Sequence, residues 1–533
     1  MERTVLIGLD GATFTVLDAL MNEGTMPFLK SLIARGVRAK LLSTPNPLTP
    51  PAWTSLMTGR TPGHHGIFDF ARVVRQDGIP RSRMATSRDI RSETIWSIAS
   101  RSGRSVTTLN FPLMYPPRPV NGCMVPGFVR WRHLRRSLYP ADLYETLAAL
   151  PGFDAKELAL DWELERKALQ ALPHGEYEDW IRLHLRRERQ WMEILRHLMD
   201  TRPADLTAIL FDGVDKLQHL CWRFLDPATP PGAPGTWEGT IRELCLSYFR
   251  QLDGLLAEIV ERAGPDARVV MASDHGFGPT TEIFYVNVWL HRQGHLQWAE
   301  GVGLSEQEKL NVDGHKDPST LFDWSGTRAC ALTAGGSCVY IRRAEGPGAP
   351  GVAPGEYAAF RQRLVDGLLA LEDPADGRPV VARVLTREEA FPGPQCGEAP
   401  DLTLVLRDGG SMSVLNSDAV LKRRAETTGA HRPEGIFVAA GPGLRAGATF
   451  DPPAIADVAA TLLYSLGLPL PVNLEGRLPT SAFESRFLKA RPPREGEPTR
   501  PPQAFVSEPE ESEAVAREEA QLRRRLRALG YIE

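Results

Sequence analysis

Carboxylates and imidazoles recur in this sequence where short aliphatic runs end. Asp10 follows the run 5–9, Asp215 and His219 follow 206–211, Asp274 and His275 follow 269–272, and His431 stands just before 435–439. Open α/β sheets place their ligands at such strand ends. Asp215 and His219 are four residues apart, so one helical turn puts both side chains on one face, converging on a single ion. A mixed carboxylate and imidazole set suits Zn²⁺, and also Mn²⁺ or Fe, whereas Mg²⁺ or Ca²⁺ favours oxygen-only ligands. Six such groups are too many for one tetrahedral ion. Two divalent ions of three or four protein ligands each, with open positions for a substrate, is the natural partition. Singly, each residue has a plainer reading: a strand-end Asp commonly caps a helix, and an isolated His is commonly structural. The joint pattern is what points to a metal centre.

One hydroxyl completes the set. In TPNPLTPPAWTSLMTG, residues 44–59, prolines stiffen a turn around Thr49 and the following residues read as a helix. Thr49 then sits at a helix N-terminus, where unpaired N–H groups and the dipole favour an anion or an alkoxide. The plain alternative is a threonine N-cap. A threonine hydroxyl is a poor nucleophile until a base or a metal lowers its pKa.

These residues need a scaffold that brings strand ends together. Five aliphatic runs, 5–9, 206–211, 269–272, 402–406 and 435–439, each end in a polar or Gly-rich turn, and helical patterning fills the intervals, as over 26–35 and 240–263. The expected fold is α/β, a doubly wound, mostly parallel sheet sandwiched by helices. Residues 1–128 form the first part of this core, 129–202 a helical insertion or cap, and 203–486 the remainder, with a loop-rich insertion near 290–355. The arginines of the cap, among them Arg130, Arg132, Arg135 and Arg136, face either an anionic substrate or solvent. A Pro-rich linker over 487–507 leads to a C-terminal amphipathic helix, 508–533, whose Leu522, Leu526 and Leu529 dock on the body or on a second subunit.

Composition narrows the function classes. The 533 residues carry 62 basic and 66 acidic side chains, a net charge of −4, with 42% hydrophobic and 24% charged residues. That supports a large packed core and argues against disorder, and it leaves no basic surface for nucleic acid or an anionic membrane. Any phosphate recognition is local. The six cysteines are scattered and read as core thiols. The most apolar stretch, 455–472, is broken by Asp457, Gly467 and two prolines, so no membrane span is expected. With no leader pattern at residues 1–10, the expected compartment is the cytoplasm.

Taken in order, LIGLDG, TPPAWTSLMTGRTPGHHGIFDF, FDGVDKLQH, SDHGFG and GAHRPEG resemble the alkaline phosphatase superfamily, and within it the type I phosphodiesterase/nucleotide pyrophosphatase group. The resemblance runs over about residues 4–479, apart from most of the helical insertion. It implies an alkaline phosphatase-like fold in which Asp10, Thr49, Asp274 and His275 hold one ion and Asp215, His219 and His431 the other. Zinc is the implied metal, with manganese as the alternative. Thr49 aligns with the metal-bound nucleophile that forms a phospho-enzyme intermediate. The implied activity is hydrolysis of a phosphodiester or pyrophosphate in a small phosphorylated substrate. One departure stands out: nucleotide pyrophosphatases have an Asn that helps bind a phosphate oxygen about twenty residues after the nucleophile, and the aligned residue here is Phe70. Arg72, or an arginine of the cap, is the candidate replacement, against the plainer reading of a salt-bridged surface Arg. The resemblance gives His64 and His65 a structural role or a place behind the ligands rather than on the metal, and Asp401 reads as a residue that starts a strand or caps a turn. Phosphomonoesterase, phosphonate hydrolase and phosphoryl transferase remain alternatives on the same core. Sulfatase chemistry needs Cys or Ser in a C/S-x-P-x-R context, which is missing here, and a non-catalytic binding protein is disfavoured because all seven metal-site residues are present.

Overall fold

The computed structural model describes residues 3–76, 79–159, 173–230, 232–302, 318–333 and 336–505. Ten strands carry or frame the site: β1 (Thr4–Leu9), β2 (Val37–Leu42), β3 (Val106–Leu109), β4 (Gly122–Val125), β5 (Leu206–Phe211), β6 (Arg268–Ala272), β7 (Gly276–Tyr285), β8 (Leu421–Arg432), β9 (Glu434–Ala440) and β10 (Ala448–Thr449). Eight form the central sheet, in the order β10-β2-β9-β6-β1-β5-β3-β4. β1 pairs in parallel with both β5 and β6, and β3 in parallel with β4 and β5.

The inner strands β1, β5, β6 and β9 are buried on both faces, which is why they read as unbroken aliphatic runs. Successive residues enter opposite layers. Val5, Ile7 and Leu9 join one core cluster, while Leu6 joins the other with Trp53, Leu56 and Val458. β5 splits the same way, Ile209 and Phe211 against Leu206, Ala208 and Leu210. The first layer is covered by the helices α2 (Tyr177–Thr201) and α4 (Trp237–Ala263), the second by α1 (Thr49–Thr58). A fourth helix, α3 (Gly213–Leu225), leaves the end of β5 directly.

Two of the five expected strands behave differently from their neighbours. β9 runs antiparallel to both β2 and β6. Leu402–Leu406 lies outside the central sheet, in a separate four-stranded sheet with Ala329–Cys330, Cys338–Ile341 and Val381–Thr386. An aliphatic run of five residues shows that a strand is buried, but not which sheet buries it. A third sheet pairs β7 antiparallel with β8 and in parallel with Ser411–Ser413, and it delivers His431.

Within 129–202 the described residues form helices and turns, with one isolated bridge between Met124 and Tyr139. Arg135 and Arg136 are exposed there, and Arg135 pairs with Glu145 at 2.6 Å. The segment after residue 486 packs along the body: Arg500 N–H donates to Glu93 at 2.8 Å, and Arg118 lies over the Phe505 ring. The expected helix 508–533 falls outside the described residues. None of the six cysteines is in a disulfide. Among the described residues no helix is long and apolar enough to cross a membrane.

Candidate active site

Asp10 continues β1 beyond its last residue, its N–H donating to Phe211 O at 3.0 Å. Gly11 then turns with φ +67°, and a Cβ there would lie 2.7 Å from the Phe277 ring, so both the conformation and the space call for glycine. The Gly11 N–H donates to Asp274 Oδ1 at 3.0 Å. Gly8 likewise leaves room for Trp53, whose indole N–H reaches Asp10 Oδ2 at 3.3 Å. The helix of Thr49 is thereby seated against the strand of Asp10.

Asp215 and His219 lie one turn apart on α3, with His219 Nε2 3.4 Å from Asp215 Oδ1. His431 arrives from β8, its Nε2 3.2 Å from Asp215 Oδ1 and 3.0 Å from His219 Nε2. This approach needs Gly429: a Cβ there would sit 2.2 Å from the Gln218 carbonyl oxygen of α3. His275 Nε2 lies 3.2 Å from Asp274 Oδ2, 3.5 Å from Asp10 Oδ1 and 3.9 Å from Asp215 Oδ1. The His275 and His431 rings stack with centroids 3.6 Å apart.

The outer nitrogens define which ring atom faces inward. His431 Nδ1 is 2.9 Å from Pro47 O, and His275 Nδ1 is 3.1 Å from Gly276 O. A carbonyl only accepts, so each Nδ1 carries the proton and each Nε2 presents a lone pair to the cluster, the arrangement typical of metal-ligating histidines. Asp10 Oδ1, Asp215 Oδ1, Asp274 Oδ2 and His275 Nε2 are buried without a hydrogen-bond partner. Buried polar atoms are normally satisfied, and a cation would satisfy all four. Asp10, Asp274 and His275 each present a ligand atom within 4.8 Å of one another, and so do Asp215, His275 and His431. The donor set therefore fits divalent metal.

Electrostatics agree with that fit. Burial, reinforced by Asp274 and Asp215, pushes the Asp10 carboxyl well above its ordinary range, and burial raises Asp274 to about 7. Burial lowers His219 and His275, keeping their imidazoles neutral. Neutral histidines and crowded carboxylates are the protonation states a metal exploits.

Thr49 is the first helical residue of α1, and Leu48 occupies the N-cap position. Its hydroxyl is thus not spent on capping. Pro50 and Pro51 have no N–H, and the Ala52 N–H closes on Leu48 O at 3.1 Å, which leaves the Thr49 N–H as the donor at this helix start. Sequence reasoning missed the residues that hold this loop. Asn46 donates to Phe68 O at 3.0 Å, Thr44 donates to Asn46 O at 2.7 Å, and Ser43 donates to Asp274 O at 2.5 Å. Polar residues beside Pro45 and Pro47 were the only signal for them.

Other candidates sit apart. His65 is buried, receives the Ile67 N–H at Nδ1 and lies 2.9 Å from Ser55 Oγ. His64 faces Glu475 at 2.9 Å. Arg72 lies between Glu398 at 2.5 Å and Asp89 at 3.6 Å. Asp401 accepts the Ile341 N–H and the Tyr357 hydroxyl in the four-stranded sheet.

Comparison with known proteins bears on the fold and on the family. No curated protein matches the chain. Among solved structures, murine ectonucleotide pyrophosphatase/phosphodiesterase 5 is similar at 15% identity, with 91% of this chain and 100% of that chain covered and a TM-score of 0.50. The human ectonucleotide pyrophosphatase/phosphodiesterase 5 gives 13% identity, 91% and 100% coverage and a TM-score of 0.52. Phosphonoacetate hydrolase from Sinorhizobium meliloti 1021 gives 17% identity, 87% and 96% coverage and a TM-score of 0.51. These likenesses show the fold. The profile of the type I phosphodiesterase / nucleotide pyrophosphatase family matches residues 4–433, and the chain belongs to that family of metal-dependent phosphoric ester hydrolases, within the alkaline phosphatase superfamily.

Proposed function

We propose that this protein is a two-metal phosphodiesterase or pyrophosphatase that attacks phosphorus with Thr49. Asp10, Thr49, Asp274 and His275 would hold one divalent ion, and Asp215, His219 and His431 the other; zinc suits the donors best, and manganese is the alternative. Bound there, the ions would supply Lewis acidity, which neutralises phosphoryl oxygens and lowers the pKa of a coordinated hydroxyl.

The protein's own part is positioning. Trp53 on Gly8 and His431 on Pro47 fix the start of α1 against the strand ends. Thr49 Oγ attacks in line, the phosphorus–oxygen bond to the leaving group breaks, and a phosphothreonine ester forms. Water then cleaves that ester and restores the hydroxyl. The Thr49 N–H faces the charge that builds on the phosphoryl oxygens, where a fixed donor is worth most. The substrate would be small and phosphorylated. Six cysteines outside any disulfide favour a reducing compartment, and we place the enzyme in the cytoplasm.

The observation that carries the proposal is the set of four buried ligand atoms without partners beside the loop of Thr49. A second reading, phosphomonoester or phosphonate hydrolysis, draws support from Phe70 standing where the group has an Asn. Hydrolysis of an aryl phosphodiester beside the matching monoester, on metal-stripped protein reloaded with Zn²⁺ or Mn²⁺, separates the two. Diester preference supports the main reading and monoester preference the second. No turnover of either, with both ions bound, overturns the diester and monoester readings.

A further inference from the structure

Helix α2 of the insertion sends two consecutive charged side chains, Arg187 and Glu188, into the interior at the root of α3, and both are buried. Glu188 Oε1 accepts the Gly213 N–H at 2.9 Å and the Tyr248 hydroxyl at 2.9 Å. Gly213 is the first residue of α3, so this N–H is one of the donors that a helix start leaves unpaired. Asp212 holds the N-cap position but makes no side-chain cap bond. Its carboxylate is held instead by Arg187 at 3.4 Å and by the Asn110 amide at 3.3 Å. A Cβ on Gly213 would lie 2.5 Å from the Tyr248 oxygen and 2.6 Å from Glu188 Oε1. The joint therefore closes tightly on a glycine, two residues before Asp215.

We propose that Glu188 is a positioning residue for the ion held by Asp215, His219 and His431: by capping α3 from the insertion it sets the rotation of that helix about its axis. The proposal rests on the reading of Asp215 and His219 as ligands. A turn of roughly 10° moves a side-chain tip by on the order of 1 Å, beyond the tolerance of about 0.5 Å that a metal site allows. The helix start thus has little freedom to spare. The insertion, which lies outside the family motifs, becomes part of the metal centre's support. Burial, with help from Asp212, pushes the Glu188 carboxyl up to about 8, so a neutral amide at this position keeps both the shape and the accepting oxygen.

The test is titration of metal-stripped, full-length protein with Zn²⁺ by calorimetry and with Co²⁺ by visible spectroscopy. Glu188→Ala is expected to weaken one of the two ions by roughly ten- to a hundredfold and to alter its cobalt spectrum, while Glu188→Gln stays within about threefold of the parent. Folded Glu188→Ala that binds both ions with parental affinity and spectrum overturns the proposal. So does Glu188→Gln as weak as Glu188→Ala. Should Glu188→Ala fail to fold, Tyr248→Phe decides: weaker binding of one ion supports the proposal, and unchanged binding and spectrum overturn it. Asp215→Ala run in parallel separates the two levels. If it keeps both ions, the ligand assignment falls and the proposal with it; if it loses one ion while Glu188→Ala loses none, only the proposal falls.

Discussion

His431 Nδ1 lies 2.9 Å from the carbonyl oxygen of Pro47, so the histidine that meets Asp215 and His219 is tied to the loop that delivers Thr49. The Thr49 loop and the carboxylate–imidazole cluster are thereby referenced to each other through one hydrogen bond. The same bond fixes the ring's proton on the outer nitrogen, which makes the inner nitrogen a donor to metal.

The first prediction concerns the hydroxyl. Thr49→Ala is expected to lower kcat/KM by at least about a thousandfold while Asp10, Asp274 and His275 still retain their ion. Thr49→Ser keeps part of the activity because the attacking oxygen remains. Steady-state kinetics and elemental analysis of the same preparations check this. A Thr49→Ala enzyme with parental turnover would remove the covalent mechanism.

A second prediction follows from the close approach of β8 to α3. Gly429→Ala puts a Cβ 2.2 Å from the Gln218 carbonyl oxygen and 2.8 Å from the Phe277 ring. A backbone oxygen cannot rotate away, so the strand must move and carry His431 with it. The expected cost is about 1–3 kcal/mol of stability, together with weaker binding of the ion that His431 shares. Urea unfolding of the metal-free protein reads the first effect, and metal titration the second.

The fold class was legible because a sheet covered on both faces leaves aliphatic runs, and the candidate residues could be picked out because each stands beside such a run. The direction of Glu434–Ala440 was not legible. An antiparallel strand buried on both faces carries the same residues as a parallel one, and the crossover that would tell them apart passes through other sheets. Leu402–Leu406 was misplaced for a related reason: a run of five residues records burial, not partnership. Glu188 was invisible because its partner Gly213 is 25 positions away, and on α2 it reads as one more charged residue among many. Asn46 and Ser43 act through backbone carbonyls, and no spacing rule marks such a contact.

The last prediction concerns two buried groups, His65 against Ser55 of α1 and Asp69 four residues further on, whose pH effects oppose each other. Burial lowers His65 to about 3, and burial raises Asp69 to about 7. In the unfolded chain they titrate near the ordinary values of about 6.5 and 3.9. The stability that neutral His65 provides is present above about 6.5 and is lost as pH falls toward 3. The stability that protonated Asp69 provides is present below about 3.9 and is lost as pH rises toward about 7. Between about pH 4 and 6.5 the two slopes, each about 1.4 kcal/mol per pH unit, have opposite signs and nearly cancel. Removing one group uncovers the other. Asp69→Asn should lose stability as pH falls from 6.5 to 4.5, by up to about 3 kcal/mol relative to the parent, whereas His65→Gln should lose it as pH rises over the same interval. Urea unfolding of metal-stripped proteins at three pH values measures both slopes against the parent, in which the metal ligands contribute equally. Parallel curves for all three proteins would mean that neither group is buried in the protonation state described.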